Sequence, residues 1–127
     1  MIHIIIILLL VSISAVAKAI MDTLQFHYSK SIFEAHNDNY WDASISWVRK
    51  YSDVERRIRK KWFNLIPIPV LFTDGWYLFQ SIFLTSLFLV IGLHTPVINW
   101  IVDFLILRVF FGIIFYVFYT YILIKNN

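Results

Sequence analysis

The sequence predicts an all-α membrane protein, with three transmembrane helices and a cytoplasmic amphipathic helix lying at the interface. Three observations predict it. The 127 residues are 60% hydrophobic and 19% aromatic, with a mean hydropathy of +0.72, more than a water-soluble core of ordinary composition absorbs. Apolar runs of about the 20 residues needed to cross a hydrocarbon slab occur at Ile2 to Ile20, Trp76 to Leu93 and Trp100 to Ile124. Eight of the eleven Lys and Arg fall between the first two runs: Lys30, Arg49, Lys50, Arg56, Arg57, Arg59, Lys60 and Lys61.

That asymmetry sets the expected topology. The short loop from His94 to Asn99 carries no Lys or Arg, and cationic residues flanking spans are retained on the cytoplasmic side. The central segment and Lys125 are therefore expected inside, the second loop and the N-terminus outside. The organisation predicted is residues 1–36 as a first transmembrane helix with a cytoplasmic extension, 37–73 as a cytoplasmic and interfacial segment, and 74–127 as a transmembrane hairpin. Ala15-Val16-Ala17 has the small-residue form of a signal cleavage site, but nothing basic precedes the apolar run. Cleavage would also send the basic segment outward, so the run reads as an uncleaved anchor. With no cysteine, there is neither a disulfide framework nor a thiolate metal site to consider.

The first helix is expected to continue past the membrane, because no Gly or Pro interrupts Met1 to Asn37 and Ile13, Val16, Ile20, Leu24 and Tyr28 keep a helical spacing. The cluster His36-Asn37-Asp38-Asn39 favours a turn that ends it. From Trp47 a second stripe runs through Tyr51, Val54, Ile58, Trp62 and Leu65. Basic side chains occupy the opposite arc, the pattern of a helix in the headgroup plane, beginning near Trp47 or afresh at the capping-box pair Ser52 and Glu55. Asn64 to Thr73 contains Pro67 and Pro69 and reads as an extended wedge. Thr73 or Asp74 can cap the second span, with Trp76 at the depth indole rings prefer. Ser81, Thr85 and Gly92 offer a seam for close helix approach.

Four groups of residues could carry chemistry. Asp103 and Arg108 lie within the third span, and hydrocarbon tolerates an ionisable group only when a partner or water path compensates it. Five positions on a helix separate the two by about 140°, so each looks for a partner elsewhere: Gln80, another polar group, or a neighbouring chain. Otherwise Asp103 reaches the external interface and Arg108 snorkels toward it. Secondly, Arg49, Arg56, Arg57, Lys60, Lys61 and Trp62 are expected to bind anionic lipid, a ligand favoured over nucleic acid by the apolar stripe and the neighbouring span.

Thirdly, Asp22, His27 and Asp74 are candidate catalytic groups. Lastly, Asp22, His27, His36 and Asp74 are candidate metal ligands, with Asp38 and Asp42 near the same face. The five-residue offset of Asp22 and His27 is poor for joint ligation, Asp74 has an alternative as a cap and Lys18 can pair with Asp22. No cofactor is predicted.

Asn37-Asp38-Asn39-Tyr40-Trp41, Ser46-Trp47-Val48-Arg49-Lys50-Tyr51 and Thr73-Asp74-Gly75-Trp76-Tyr77-Leu78-Phe79-Gln80 resemble stretches in a loose group of small bacterial and phage integral membrane proteins, over roughly the central third of the chain. The resemblance implies membrane residence and brings no activity or catalytic residue. Members of the group frequently carry His where this chain has Tyr77; if that histidine serves a metal or proton role, this chain lacks it. The expected function is structural or accessory, packing in a membrane assembly through the charged third span, with another membrane chain or a second copy as partner. Two alternatives stand beside it. One is a small membrane enzyme acting on a lipid-borne substrate, the other a small ion-conducting oligomer using Arg108.

Overall fold

A computed structural model describes residues 1–62, 66–67, 69 and 72–125. It is mostly helical, with three helices long and apolar enough to cross a membrane. These are α1 (Ile2–Phe26), α4 (Gly75–Leu93) and α5 (Trp100–Val117), the last continued by a π turn at Phe118–Ile122. Two short helices, α2 (Asp38–Trp41) and α3 (Ala43–Ser46), lie between α1 and α4. They are followed by the strands β1 (Tyr51–Asp53), β2 (Ile58–Arg59), β3 (Lys61–Trp62) and β4 (Ile66–Pro67).

α1 is the central pillar. Its inner half buries Ile7 and Val11 with Val90 of α4, flanked by Leu107, Phe110 and Phe111 of α5. Its other half buries Ala19, Ile20 and Leu24 with Phe33 and Leu123, flanked by Trp76, Phe79, Phe115 and Tyr119. Residue numbers thus rise along α1 as they fall along α4 and rise along α5, so α4 and α5 are antiparallel to each other, as expected for the hairpin. Small residues at a helix contact let the backbones approach closely. Ser14, Ala15 and Ala19 are each 0% exposed and allow that approach on α1. On α4 the approach uses Ser86 and Val90 rather than the expected Gly92, beside which nothing lies within 4 Å of an added Cβ.

α1 ends at Phe26, ten residues short of the predicted extension. The reason is a clamp at Ser31. Its hydroxyl donates to the Tyr28 carbonyl at 2.7 Å and accepts from the Phe33 amide at 3.2 Å, starting a 3-10 turn at Ile32–Ala35. The backbone here also pairs with the C-terminal segment, the Ile32 amide donating to Leu123 O (3.0 Å) and the Lys125 amide to Lys30 O (2.8 Å). A continued helix would use those same groups internally. Lys125 Nζ adds an ion pair to Glu34 at 2.7 Å.

The expected amphipathic helix from Trp47 onward is not formed. A 3-10 turn at Trp47–Lys50 leads into an antiparallel hairpin, β1 against β2, with Tyr51 opposite Arg59 and Asp53 opposite Ile58. Ser52 donates to Ile58 O (3.1 Å) instead of making a capping box with Glu55. Arg57 takes a left-handed φ of 54° at the turn, where Asp53 accepts from the Arg56 amide at 3.1 Å. A helix would set Arg56 over Lys60 and Arg57 over Lys61, but also Asp53 over Arg57 and Glu55 over Arg59, so its one-turn charge pairs offset one another and the local hydrogen bonds of the turn close the hairpin. Beyond it, Lys61 pairs with Pro67 and Trp62 with Ile66 in a second short ribbon. Half of the wedge expected over Asn64 to Thr73, residues 64, 65, 68, 70 and 71, lies outside the described residues.

Candidate functional site

Asp103 finds its partner inside the chain. It sits in the first turn of α5, four residues after Asn99, whose side chain caps the helix through the amides of Ile101 and Val102. The Asp103 carboxylate bends back over the loop and accepts from the Val97 amide at 2.7 Å and the Ile98 amide at 3.3 Å. His94 Nε2 approaches it at 3.3 Å. The residue is 6% exposed and organises the turn between α4 and α5. Nearby, His3 and Thr95 meet at 3.1 Å, joining the start of α1 to the same loop.

Arg108 is different. It lies about 12 Å further along the helix axis than Trp100, at 1.5 Å per residue, and its side chain is exposed. Among the described residues it has no carboxylate partner. Its guanidinium carbon stands 6.0 Å from the Phe111 ring centroid, and one terminal nitrogen lies 3.6 Å from where a Gly112 Cβ would be. The side chain therefore runs toward the deeper half of α5 and away from Trp100, opposite to the expected snorkelling, in the gap that Gly112 leaves.

The candidate catalytic and metal residues take separate roles. Asp22 pairs with Lys18 one turn earlier on α1. The His27 ring packs on Tyr119 at 5.5 Å, and the His36 ring lies against Phe33 and Trp41 at 6.5 and 6.0 Å. Asp38 accepts from the Tyr28 hydroxyl at 2.6 Å. Asp42 caps α3 through the Ser44 amide and hydroxyl, at 2.9 and 2.7 Å. Among the described residues, no three His, Asp or Glu side chains come together as a metal-binding group.

Asp74 occupies the most developed site on this side. It caps α4 as expected, accepting from the Trp76 amide at 2.8 Å, and is 2% exposed. Gly75 is required beside it, because an added Cβ would lie 3.0 Å from Trp41 Cε3 and 3.3 Å from the Tyr40 carbonyl. Asp74 forms one wall of a cleft of about 360 Å³ with Gln25, Ser44, Trp47, Trp76 and Tyr77. Lys50 Nζ stands over the Tyr77 ring at 5.1 Å and the Tyr51 ring at 5.2 Å, beside this cleft. Burial, and then the Asp74 charge, pushes the Tyr40 phenol above its ordinary pKa, while Arg49 opposes the shift. Asp74 was legible as a cap; the cleft was not, because Gln25, Trp47 and Tyr77 come from separate stretches.

The predicted lipid-binding residues are split by the hairpin. Arg56, Arg57, Lys60 and Lys61 are exposed at and beyond its turn, and Arg49 is half-buried nearer α3. Arg56 makes one solvent-facing ion pair, 3.7 Å from Asp53. Trp62 belongs to β3. Compared with known proteins, the chain matches no family model, no curated protein and no solved structure.

Proposed function

We propose that this chain is a multi-pass accessory protein of a membrane assembly, docking through the Arg108 face of α5 while its basic hairpin rests on anionic headgroups. The observation that carries the reading is Arg108 itself. A mid-span guanidinium facing outward, with an aromatic ring as its neighbour, is costly against lipid tails and is relieved by a carboxylate or carbonyl on an adjoining chain. The wider face agrees: only 6% of the most apolar window of α5 is buried, against 44% for α1. Phe104, Val109 and Tyr116 are each more than half exposed along it.

In this reading the central segment and the C-terminus are cytoplasmic and the loop at 94–99 is external. The exposed cations of the hairpin then meet the leaflet that carries anionic lipid, where each contributes about 1 kcal/mol of attraction near the surface. The partner is a second copy or another membrane chain offering an acidic or carbonyl group at the level of Arg108. The test is purification in mild detergent of the wild-type chain and of Arg108→Leu and Arg108→Lys. Loss of a co-purifying chain or of the oligomer with Leu, and its retention with Lys, is the expected result. Identical assemblies for all three would refute it. Cysteines placed at Lys30 and Thr95 should be labelled from opposite sides of the membrane.

A further inference from the structure

The cleft beside Asp74 is built from groups that share one ligand chemistry. Its carboxylate is almost entirely buried, and among the described residues no Lys or Arg stands within ion-pair distance of it. The positive end of α4 and the Trp76 amide compensate part of that charge, and a buried anion gains further from a cation brought to it. Around it stand the rings of Trp47, Trp76 and Tyr77, with the Gln25 amide and the Ser44 hydroxyl as additional acceptors. Aromatic faces beside a carboxylate attract organic cations through the ring quadrupole. The chain already uses one such face in this way, since the Lys50 ammonium lies 5.1 Å from the Tyr77 centroid. A phosphate would meet the Asp74 charge directly, and a divalent metal would find one carboxylate.

We propose that this cleft binds an organic ammonium group, the Asp74 carboxylate taking its charge and the Trp47, Trp76 and Tyr77 rings enclosing its carbons. The volume, about 360 Å³, far exceeds the roughly 30 Å³ of one water and admits a choline or ethanolamine head. The cleft opens where α4 begins, at the end of a span, so two sources present this chemistry: an aminophospholipid headgroup and a free amine. The proposal does not depend on docking through Arg108.

The 127-residue chain in nanodiscs of phosphatidylglycerol is titrated with radiolabelled choline, with unlabelled ethanolamine as competitor and sodium chloride as the ionic-strength control. Saturable choline binding, displaced by ethanolamine and not by sodium chloride, is expected. Asp74→Asn keeps a capping oxygen and the side-chain shape, and should weaken binding at least about tenfold, the loss of one charge-assisted contact. Trp47→Leu, at a residue that is 45% exposed, should weaken it as well. Unchanged affinity in both variants, or no saturable binding to the wild type, would overturn the proposal. Nanodiscs containing phosphatidylethanolamine separate the sources: a lowered apparent choline affinity assigns the lipid headgroup, and an unaltered one assigns the free amine.

Discussion

Replacing Gly75 with alanine should unfold the corner that holds Asp74, and the size of the effect can be worked from the geometry. The new methyl would stand 3.0 Å from Trp41 Cε3, 3.3 Å from Tyr40 Cε1 and 3.3 Å from the Tyr40 carbonyl oxygen, against a preferred carbon separation of about 3.5–4.0 Å. Trp41 has little freedom to retreat. It is stacked on Phe33 at 5.1 Å, meets the Tyr40 ring edge at 5.2 Å and touches Phe79 at 6.2 Å. Overpacking of this kind costs about 1–3 kcal/mol, while removing a helical glycine returns about 0.5–1 kcal/mol. The net expectation is a loss of about 1–2 kcal/mol. Gly92 on the same helix is the control, because nothing lies within 4 Å of its added Cβ, and Gly92→Ala should be neutral or stabilising by up to about 1 kcal/mol. Unfolding in mixed micelles of rising denaturing-detergent fraction, followed by helicity, measures both. Gly75→Ala as stable as Gly92→Ala would refute the argument that α2 is pressed against the start of α4.

Asp103→Leu should release the 94–99 loop, seen as faster amide exchange at Val97 and Ile98, with Asp103→Asn intermediate because it keeps one acceptor oxygen; unchanged exchange in both would remove the carboxylate from that role. Replacing Arg56, Arg57, Lys60 and Lys61 together with Gln should reduce the anionic lipid retained through purification without changing the helical content, and equal retention would count against the headgroup contact. The Tyr28 phenol, raised by burial and by its hydrogen bond to Asp38, contributes stability that is fully present below the unperturbed value of about 10. That contribution is lost as pH rises through the folded value. Tyr28→Phe should therefore flatten the alkaline limb of the stability profile, and an identical limb would exclude Tyr28 as its source.

The three long apolar helices were legible in the sequence because length and apolarity alone define them, and the Asp74 cap because capping is local chemistry; the Asn99 cap is equally local but was not read. The segment from Trp47 to Trp62 misled for a physical reason. A spacing of three and four apolar positions is compatible with a helix, but it does not register the turn's own hydrogen bonds, from the Arg56 amide to Asp53 and from Ser52 to the Ile58 carbonyl, which close this stretch into a hairpin. Phe26 as the end of α1 was hidden for another reason: besides the local clamp at Ser31, the groups that hold the chain beyond it, on Leu123 and Lys125, are almost a hundred residues away. Asp103 carried a readable signal that periodicity obscured, since an acid in the first turn of a helix is placed to gather loop amides. The run of the Arg108 side chain toward Gly112 uses the space over that glycine, which spacing alone does not reveal.

α4 and α5 both lean on α1, and this has a bearing on biogenesis. The pillar is synthesised first, and its partners emerge only after the whole basic central segment has left the ribosome. Until then the flank that carries Ser14, Ala15 and Ala19 lacks its partners from this chain, and its small side chains leave an open furrow for α4 to fill.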